Sequence, residues 1–208
     1  MRRLLILILM LVAGAAAVAG AVASRSGQEP TKQASRAASA IFAGGCFWCT
    51  ESDFDHMPGV VATTSGYSGG RIANPTYEQV SAGGTGHIEA VRVAYDPARI
   101  SYAALVDRFF RTIDPLDAGG QFCDRGYQYR SAIFVRNPQE RRIAETAKAQ
   151  VERRLGRRIA TLILPARNFY PAEDYHQDYY RKNPVRYRFY RWNCGRDQRI
   201  QAVWQPAR

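Results

Sequence analysis

The chain is poor in cysteine, with four in 208 residues. It also lacks the second C-x-x-C that would complete Cys46-Phe47-Trp48-Cys49, since Cys123 and Cys194 stand alone. That spacing argues against a four-thiolate zinc site, which takes two such pairs. No β-α-β rhythm leads up to Cys46, so the context of a thioredoxin-type C-x-x-C is missing. There is no internal repeat, hence no solenoid or propeller. Acidic charge is scarce in one half: residues 125–208 hold 19 Lys and Arg against 7 Asp and Glu, whereas residues 1–124 hold 10 against 11. The net charge is +11. A basic half with interleaved aromatics (Tyr175, Tyr179, Tyr180, Tyr187, Phe189, Tyr190, Trp192) is a pattern shared with single-strand nucleic-acid binders. The reading preferred here is a solvated basic surface whose stems lie over aromatic core anchors.

What is present begins with an address. Met1-Arg2-Arg3 is a short basic start, Leu4 to Val12 is unbroken apolar sequence, and Ala21-Val22-Ala23 precedes polar Ser24. Residues 1–23 therefore read as a secretory signal peptide cleaved after Ala23. The alternative is an uncleaved anchor, because Leu4 to Ala23 is just long enough to span a bilayer. Either reading puts the folded part outside the cytosol, in the periplasm or secreted, and removes nucleic acid as a natural partner. Residues 24–38, rich in Ser, Gln, Ala and charge, read as a disordered spacer. The remainder, 39–208, suits one domain with its own core, large enough not to need disulfide staples.

Within the domain the punctuation is clear. Ala40 to Ala43 is a buried strand, followed by a glycine turn and a helix from Trp48 to Met57 that Pro58-Gly59 ends. Val60 to Tyr67 is β-rich, Asn74-Pro75-Thr76-Tyr77 is a turn, and His87 to Tyr95 alternates as a strand. Ser101 caps a helix to Ile113, with Leu105, Phe109 and Ile113 at four-residue spacing. Tyr129 to Val135 is a strand. Asn137-Pro138 opens a long helix to about Leu155, Ala160 to Leu164 is a strand, and Asp174 to Lys182 is a short helix. From about residue 183 no period is visible, and ordered coil is expected. Strands and helices are mixed without a β-α-β rhythm, so the class is α+β.

Cys46 carries the chemistry. It sits where a strand and glycine turn run into a helix. Unpaired N–H donors and a partial positive charge at a helix start favour thiolate over thiol. Phe47 and Trp48 give the sulfur an apolar wall, which points to redox or transfer chemistry on a small apolar group. In the His87–Tyr95 strand, Glu89 shares a face with Val91, Val93 and Tyr95. If that face is core, burial raises the Glu89 pKa and makes it a proton donor near neutrality. If it frays to solvent, Glu89 is an ordinary surface carboxylate. Parity alone leaves both readings open. A loop with Asp124 and Tyr129, and the Tyr77 turn, carry hydrogen-bonding groups without fixing a role.

Several segments occur in register: Gly45-Cys46-Phe47-Trp48, Gly66-Tyr67-Ser68-Gly69-Gly70, Asn74-Pro75-Thr76-Tyr77, Gly86-His87-Ile88-Glu89-Ala90, Tyr95-Asp96-Pro97, Asp124-Arg125-Gly126, Gln128-Tyr129-Arg130-Ser131, and Ala172-Glu173-Asp174-Tyr175-His176-Gln177 through Lys182-Asn183-Pro184. Together they closely resemble the A-type peptide methionine sulfoxide reductases, over roughly Ile41 to Pro184. The resemblance implies a two-layer α+β sandwich, a mixed sheet with packed helices and a coiled C-terminal tail. It implies reduction of methionine S-sulfoxide, free or in oxidised proteins, with no bound cofactor or metal, recharged by a thioredoxin-like dithiol donor; the residues suggest no obligate dimer seam, so a monomer is expected. In that likeness Cys46 is the nucleophile, Phe47 and Trp48 hold the substrate methyl group, Glu89 protonates the sulfoxide oxygen, and Tyr77, Asp124 and Tyr129 hydrogen-bond around it. Attack leaves Cys46 as a sulfenic acid. The pattern departs from the family at Cys49, where Gly is usual, at Cys123, and in a tail with one cysteine and few glycines. Cys194 is the expected resolving cysteine, with Cys49 the alternative one helical turn away, and Cys123 reads as a buried bystander.

Overall fold

The computed structural model describes residues 37–205. The signal peptide over 1–23 and the spacer up to residue 36 lie outside the described residues. Strand β1 (Ala38–Gly44) begins on the last residue assigned to that spacer. It forms the middle of a six-stranded sheet. On one side it pairs antiparallel with β3 (Ile88–Tyr95), which pairs with β2 (Val60–Ser68), and a short edge strand β8 (Phe169–Pro171) closes that side. On the other side β1 pairs antiparallel with β6 (Ser131–Val135), and β7 (Leu162–Pro165) runs parallel to β6. The order is β7-β6-β1-β3-β2-β8. A separate hairpin, β4 (Gly120–Gln121) and β5 (Asp124–Arg125), stands apart from the sheet.

The helices α1 (Phe47–Asp55), α3 (Tyr102–Phe110) and α4 (Pro138–Leu155) pack on one face of the sheet. Their apolar sides meet Phe42, Val91, Val93 and Ile133 in the larger core, where Phe42 stacks on Phe54 and Phe109 with ring centroids 4.9 and 5.1 Å apart. Each such fully buried ring contributes about 2–3 kcal/mol. The opposite face carries a smaller cluster of Ala43, Ile88, Ala90, Ala132 and Phe134 under Leu162, Leu164 and Phe169. The expected α+β class, a mixed sheet with packed helices, is what the chain adopts. The caps are where the composition put them: Ser101 accepts from Ala104 N, and Asn137 accepts from Glu140 N with Pro138 behind it.

Four local expectations are corrected. Asn74 to Tyr77 does not end as a turn: Thr76 and Gln79 form a capping box that starts a five-residue helix, α2 (Tyr77–Ser81). The Tyr129–Val135 strand begins only at Ser131, after a 3-10 turn over Tyr127–Tyr129. The helix from Asp174 shrinks to α5 (Tyr179–Lys182), because Asp178 takes a left-handed conformation, φ 53°, and breaks the run. The expected coil from residue 183 is two helices, α6 (Pro184–Asn193) and α7 (Arg196–Trp204), joined by a left-handed Gly195. The period was invisible because α6 turns Tyr187 inward while leaving Val185, Phe189 and Trp192 at 70, 65 and 65 % exposure. With apolar side chains on both faces, no alternation survives. Phe189 and Trp192 on this outward face, and Tyr175 in the segment before α5, are exposed and not the core anchors expected of them.

Candidate active site

The glycine turn after β1 aims Cys46. Gly45 has φ +84°, and a Cβ there would lie 2.5 Å from the Gln121 Cβ, so only glycine makes this turn. Cys46 is then the N-cap of α1, its carbonyl accepting from the backbone N–H of Cys49 and Thr50 at 3.2 Å each. Its side chain stays at the open end of the helix, 7 % exposed. Continuing the β1–β3 register from the Phe42–Val91 pair sets Glu89 level with Gly44, directly beside the turn. The Glu89 carboxylate oxygen Oε2 accepts from the Phe47 N–H at 3.0 Å. Glu89 is 2 % exposed, which settles the parity question for burial. Burial pushes its pKa up to about 8, against the pull of the Phe47 N–H and with help from the charges of Asp124 and Cys49. At neutral pH the carboxyl is mostly protonated.

The expected hydrogen-bonding groups converge here. Tyr77 is the first residue of α2, its N–H held by Glu173 Oε1 at 2.8 Å while Glu173 Oε2 accepts from the Tyr67 hydroxyl at 2.9 Å. Its phenol is pushed up to about 12 by burial, then by the nearby charges of Glu89 and Cys46. Tyr129 ends the 3-10 turn, and burial followed by the Glu89 charge raises its phenol as well. Asp124, on β5, is raised by burial although the Tyr190 hydroxyl donates to it. The apolar wall is fixed from below: Trp48 Nε1 donates to His176 Nδ1 at 3.0 Å, and its ring stacks on Tyr179 at 3.7 Å. Phe47 is fully buried against Tyr67 and His176. All seven residues expected at the reacting centre thus lie close together around Cys46.

The sulfurs are arranged differently from the expectation. Burial drives the Cys46 thiol well above its ordinary pKa, and the hydrogen bond with Cys49 and the charges of Glu89 and Asp124 add to it. The helix start does not outweigh that desolvation. Cys49 is lowered instead, by the same hydrogen bond and then by Arg196 and Arg191. Of the two thiols, Cys49 gives up its proton the more readily, because it lies where the cations are. Arg196 is 1 % exposed and donates to Gly44 O, Thr112 O and Asp53 Oδ2. Cys123 is not buried: it stands at the tip of the β4–β5 hairpin and is disulfide-bonded to Cys194, 71 residues away, with 4.9 Å between the Cα atoms. Cys46 and Cys49 are free thiols. Cys123, Asp124 and Cys194 also present ligand-type atoms within 4.8 Å of one another, but the two sulfurs are occupied by each other.

The residue-level reading missed Tyr190. Its ring meets Trp48 edge-on at 5.8 Å and its hydroxyl reaches both Asp124 and the Cys46 sulfur, so helix α6 roofs the nucleophile. The spacing Tyr187, Tyr190, Arg191, Cys194 is the helical signal that marks this inward face.

A cysteine at a helix start, a mostly protonated buried carboxyl beside it and an aromatic wall put a nucleophilic sulfur and a proton donor together at one apolar site. The sequence profile described as peptide methionine sulfoxide reductase matches residues 38–208. The chain belongs to that family. Peptide methionine sulfoxide reductase MsrA 2 of Rhizobium meliloti is 54 % identical over 165 residues, 79 % of this chain and 82 % of the relative. MsrA 2 of Caulobacter vibrioides is 49 % identical over 205 residues, 98 % and 99 % of the two chains. Among solved structures, reduced Mxr1 of Saccharomyces cerevisiae is similar with a TM-score of 0.68 and 34 % identity, covering 72 % of this chain and 87 % of that one. Methionine sulfoxide reductase A of Corynebacterium diphtheriae gives 0.64 and 37 %, covering 72 % and 76 %. As an A-type methionine sulfoxide reductase, the chain is a thiol-dependent oxidoreductase, and its sheet and packed helices are those of these neighbours.

Proposed function

We propose that this reductase repairs methionine S-sulfoxide, in oxidised proteins or free, through Cys46, and that the Glu89–Cys46 juxtaposition is the observation that carries the reading. A sulfoxide is a poor electrophile until its oxygen is protonated. The methyl group sits against Phe47 and Trp48, and the oxygen faces Glu89 with Tyr77, Asp124 and Tyr129 around it. Glu89 gives its proton to the oxygen as Cys46 attacks sulfur, and the proton leaving Cys46 passes to the Cys49 thiolate. The protonated oxygen shifts from the methionine sulfur to Cys46 Sγ as the bond between the two sulfurs breaks, so methionine departs and Cys46 is left as a sulfenic acid. Cys49, already in contact, attacks that sulfur; the S–O bond breaks, water leaves, and a Cys46–Cys49 disulfide forms. Exchange with Cys194 and Cys123 then returns Cys46 and Cys49 to thiols and leaves Cys123–Cys194 as the oxidised pair. That end state is the covalent state of the four sulfurs described above. The sequence ranked Cys194 first as resolving partner; proximity favours Cys49 for the first bond and Cys194 for the second.

A thioredoxin-like dithiol supplies the electrons, and no bound cofactor is required. The leader over 1–23 exports the protein to the periplasm or beyond, either cleaved or as an anchor, and the catalytic unit is a monomer. The purified protein is assayed with dithiothreitol on each sulfoxide epimer separately. Turnover of the S form alone is expected, abolished by Cys46→Ser. Equal turnover of both epimers, or an active Cys46→Ser, refutes the reading.

A further inference from the structure

Asp114 joins the β4–β5 hairpin to the tail without help from sulfur. Its backbone N–H donates to Gln121 Oε1 at 2.9 Å and its carbonyl accepts from Gln121 Nε2 at 2.8 Å, which pins the hairpin. Its carboxylate Oδ2 accepts from Arg199 Nε at 2.6 Å, which pins α7. Arg191 and Arg196 tie the same tail to Asp53. The hairpin also closes on itself, Gln121 pairing with Asp124 around the tip Phe122-Cys123. Cys194, at the C-cap of α6, is fixed by its N–H donating to Tyr190 O at 2.9 Å. Opening the Cys123–Cys194 bond therefore leaves both cysteines on braced backbone, their Cα atoms near the present 4.9 Å.

A carboxylate stands beside the two sulfurs. Asp124 follows Cys123 in the chain, and one of its oxygens and the two Sγ atoms lie within 4.8 Å of one another. Tyr190 donates to Oδ2, and among the described residues no donor meets Oδ1. Bonded to each other, the sulfurs can hold nothing else. When the bridge takes up two electrons and two protons it becomes two thiols, and the same three groups are two sulfur donors and one oxygen donor. Sulfurs that share one tetrahedral zinc stand about 3.8 Å apart, from Zn–S bonds of about 2.3 Å. Rotation of the exposed Cys123 side chain about its Cα–Cβ bond supplies that separation. Thiolate donors select zinc-class cations over calcium and magnesium, which take oxygen. Three anionic donors around a dication leave one negative charge, and Arg157 and Arg199 line the cavity beside Cys194, where they offset it.

We propose that the opened Cys123–Cys194 pair and Asp124 form a redox-gated binding site for a zinc-class divalent cation. Binding forms two Zn–S bonds and one Zn–O bond and expels both thiol protons. The donor set is not the paired C-x-x-C pattern that the sequence lacks; it is assembled from a hairpin and a tail 71 residues apart. Re-forming the bridge passes two electrons from its sulfurs to the Cys46–Cys49 disulfide of the proposed cycle, which takes up two protons, and the cation leaves. Asp124 also belongs to the reacting centre, so a bound cation withdraws a carboxylate from it. These last two consequences rest on the proposed function; binding itself does not.

The test titrates untagged protein, reduced with a phosphine and freed of it, with zinc against a chromophoric chelator. Cobalt(II) is the second probe, because its sulfur-to-metal charge-transfer absorption reports thiolate ligands. One equivalent per chain is expected. Cys123→Ser and Cys194→Ser should each weaken binding at least about a hundredfold, and Asp124→Asn about tenfold. Oxidation of the wild type with diamide should release the zinc as the bridge returns. The double variant Cys46→Ser, Cys49→Ser should bind as the wild type does. No binding by the reduced wild type overturns the proposal, as does wild-type affinity in Cys123→Ser and Cys194→Ser, or zinc retained after the bridge has closed. Loss of binding in the Cys46, Cys49 double variant also overturns it, by placing the metal on the buried pair.

A single turnover of the pre-reduced protein tests the sharing of Asp124. One equivalent of zinc should slow methionine formation at least about fivefold in the wild type and leave the rate of Cys123→Ser as it is without zinc. Turnover unchanged by bound zinc removes Asp124 from the donor set, and equal slowing in Cys123→Ser assigns the effect to another site. A chain that binds zinc through Cys123 and Cys194 but reduces no sulfoxide supports this site and refutes the proposed function alone.

Discussion

The four sulfurs form two pairs of opposite character. Cys46 and Cys49 are three residues apart, buried, reduced and in contact. Cys123 and Cys194 are 71 residues apart, nearer the surface and bonded. The first pair is built locally, by a strand, a glycine turn and one turn of helix, and its surroundings set how protons are shared. The second exists only because the tail folds back over the end of β1, where Arg196 donates to Gly44 O, and brings Cys194 to the hairpin. A local pair suits chemistry on a small substrate, since every group that tunes it can be packed around it. A non-local, exposed pair suits exchange with another protein. Between them stand Tyr190 and Arg196, which tie the tail to the buried pair.

The largest test of that contrast falls on the buried side. Glu89→Gln keeps the shape and the contact with Phe47 N–H but cannot protonate oxygen, and should lower the sulfoxide reduction rate by about 10²–10⁴-fold. In the wild type the rate should hold at neutral pH and fall above about pH 8, as the Glu89 carboxyl ionises. The same group makes stability pH-dependent. Its folded pKa is raised, so the native state holds the proton more tightly than the unfolded chain. Its stabilising contribution is full below the ordinary carboxyl pKa of 4.5 and is lost as pH rises toward about 8. A rate profile of Glu89→Gln that still breaks near pH 8 would assign the titration to another group.

Next in size is the link between the pairs. Arg196 holds Gly44, Thr112 and Asp53 together, and its guanidinium lies 4.6 Å over the Phe122 ring at the hairpin turn. Arg196→Met should cost about 3 kcal/mol, a fall of roughly 10 °C in Tm, because Asp53 loses one of its two cations and two carbonyls lose their donor. It should also raise the Cys49 thiol, read as a shift of its alkylation rate profile to higher pH. A stable variant whose Cys49 titrates unchanged would show that the tail does not tune the buried pair.

These outcomes bear on why the two regions differed in legibility. Part of the buried site could be read from the residues alone, because those signals are short-range; the roles of Glu89, Tyr77, Asp124 and Tyr129 came only with the family resemblance. A glycine before Cys46 announces the turn, the two-residue period of β3 puts Glu89 with Val91 and Val93, and Asn137-Pro138 announces α4. What could not be read depends on packing partners far along the chain. Alternation gave Glu89 a face but not its burial, which comes from β1 and α1. The helix start predicted a low Cys46 pKa, and desolvation by that same packing reversed it. Four cysteines allow three pairings, and nothing local chooses among them. The tail's helices were hidden because an apolar stripe faces outward, so hydrophobic periodicity had two answers at once.

The exposed pair is tested by Cys194→Ser. With dithiothreitol, which reaches small disulfides directly, turnover through Cys46 and Cys49 should persist within about threefold. With thioredoxin it should fall about tenfold or more, because the bridge at the surface no longer forms. Equal loss with both reductants would mean that Cys194, not Cys49, bonds to Cys46 first, and the local pair would no longer be self-sufficient.

The smallest effect expected is at Thr76, and it asks how local the site's local half is. Thr76 and Gln79 cap α2 reciprocally, and α2 exists mainly to present Tyr77. Thr76→Ala removes one side of that box and should cost about 1 kcal/mol of stability. Turnover should fall no more than about twofold, because Glu173 still holds the Tyr77 N–H from the distant 172–177 segment. Glu173→Gln alone should likewise be tolerated in part, since the cap remains. The double variant should lose more activity than the two single losses combined, as neither hold on Tyr77 is then intact. Strict additivity would mean that the cap and the carboxylate act independently and that Tyr77 is placed by the α2 backbone alone. Coupling would show that even the most legible residues of this centre are positioned by one near signal and one far one.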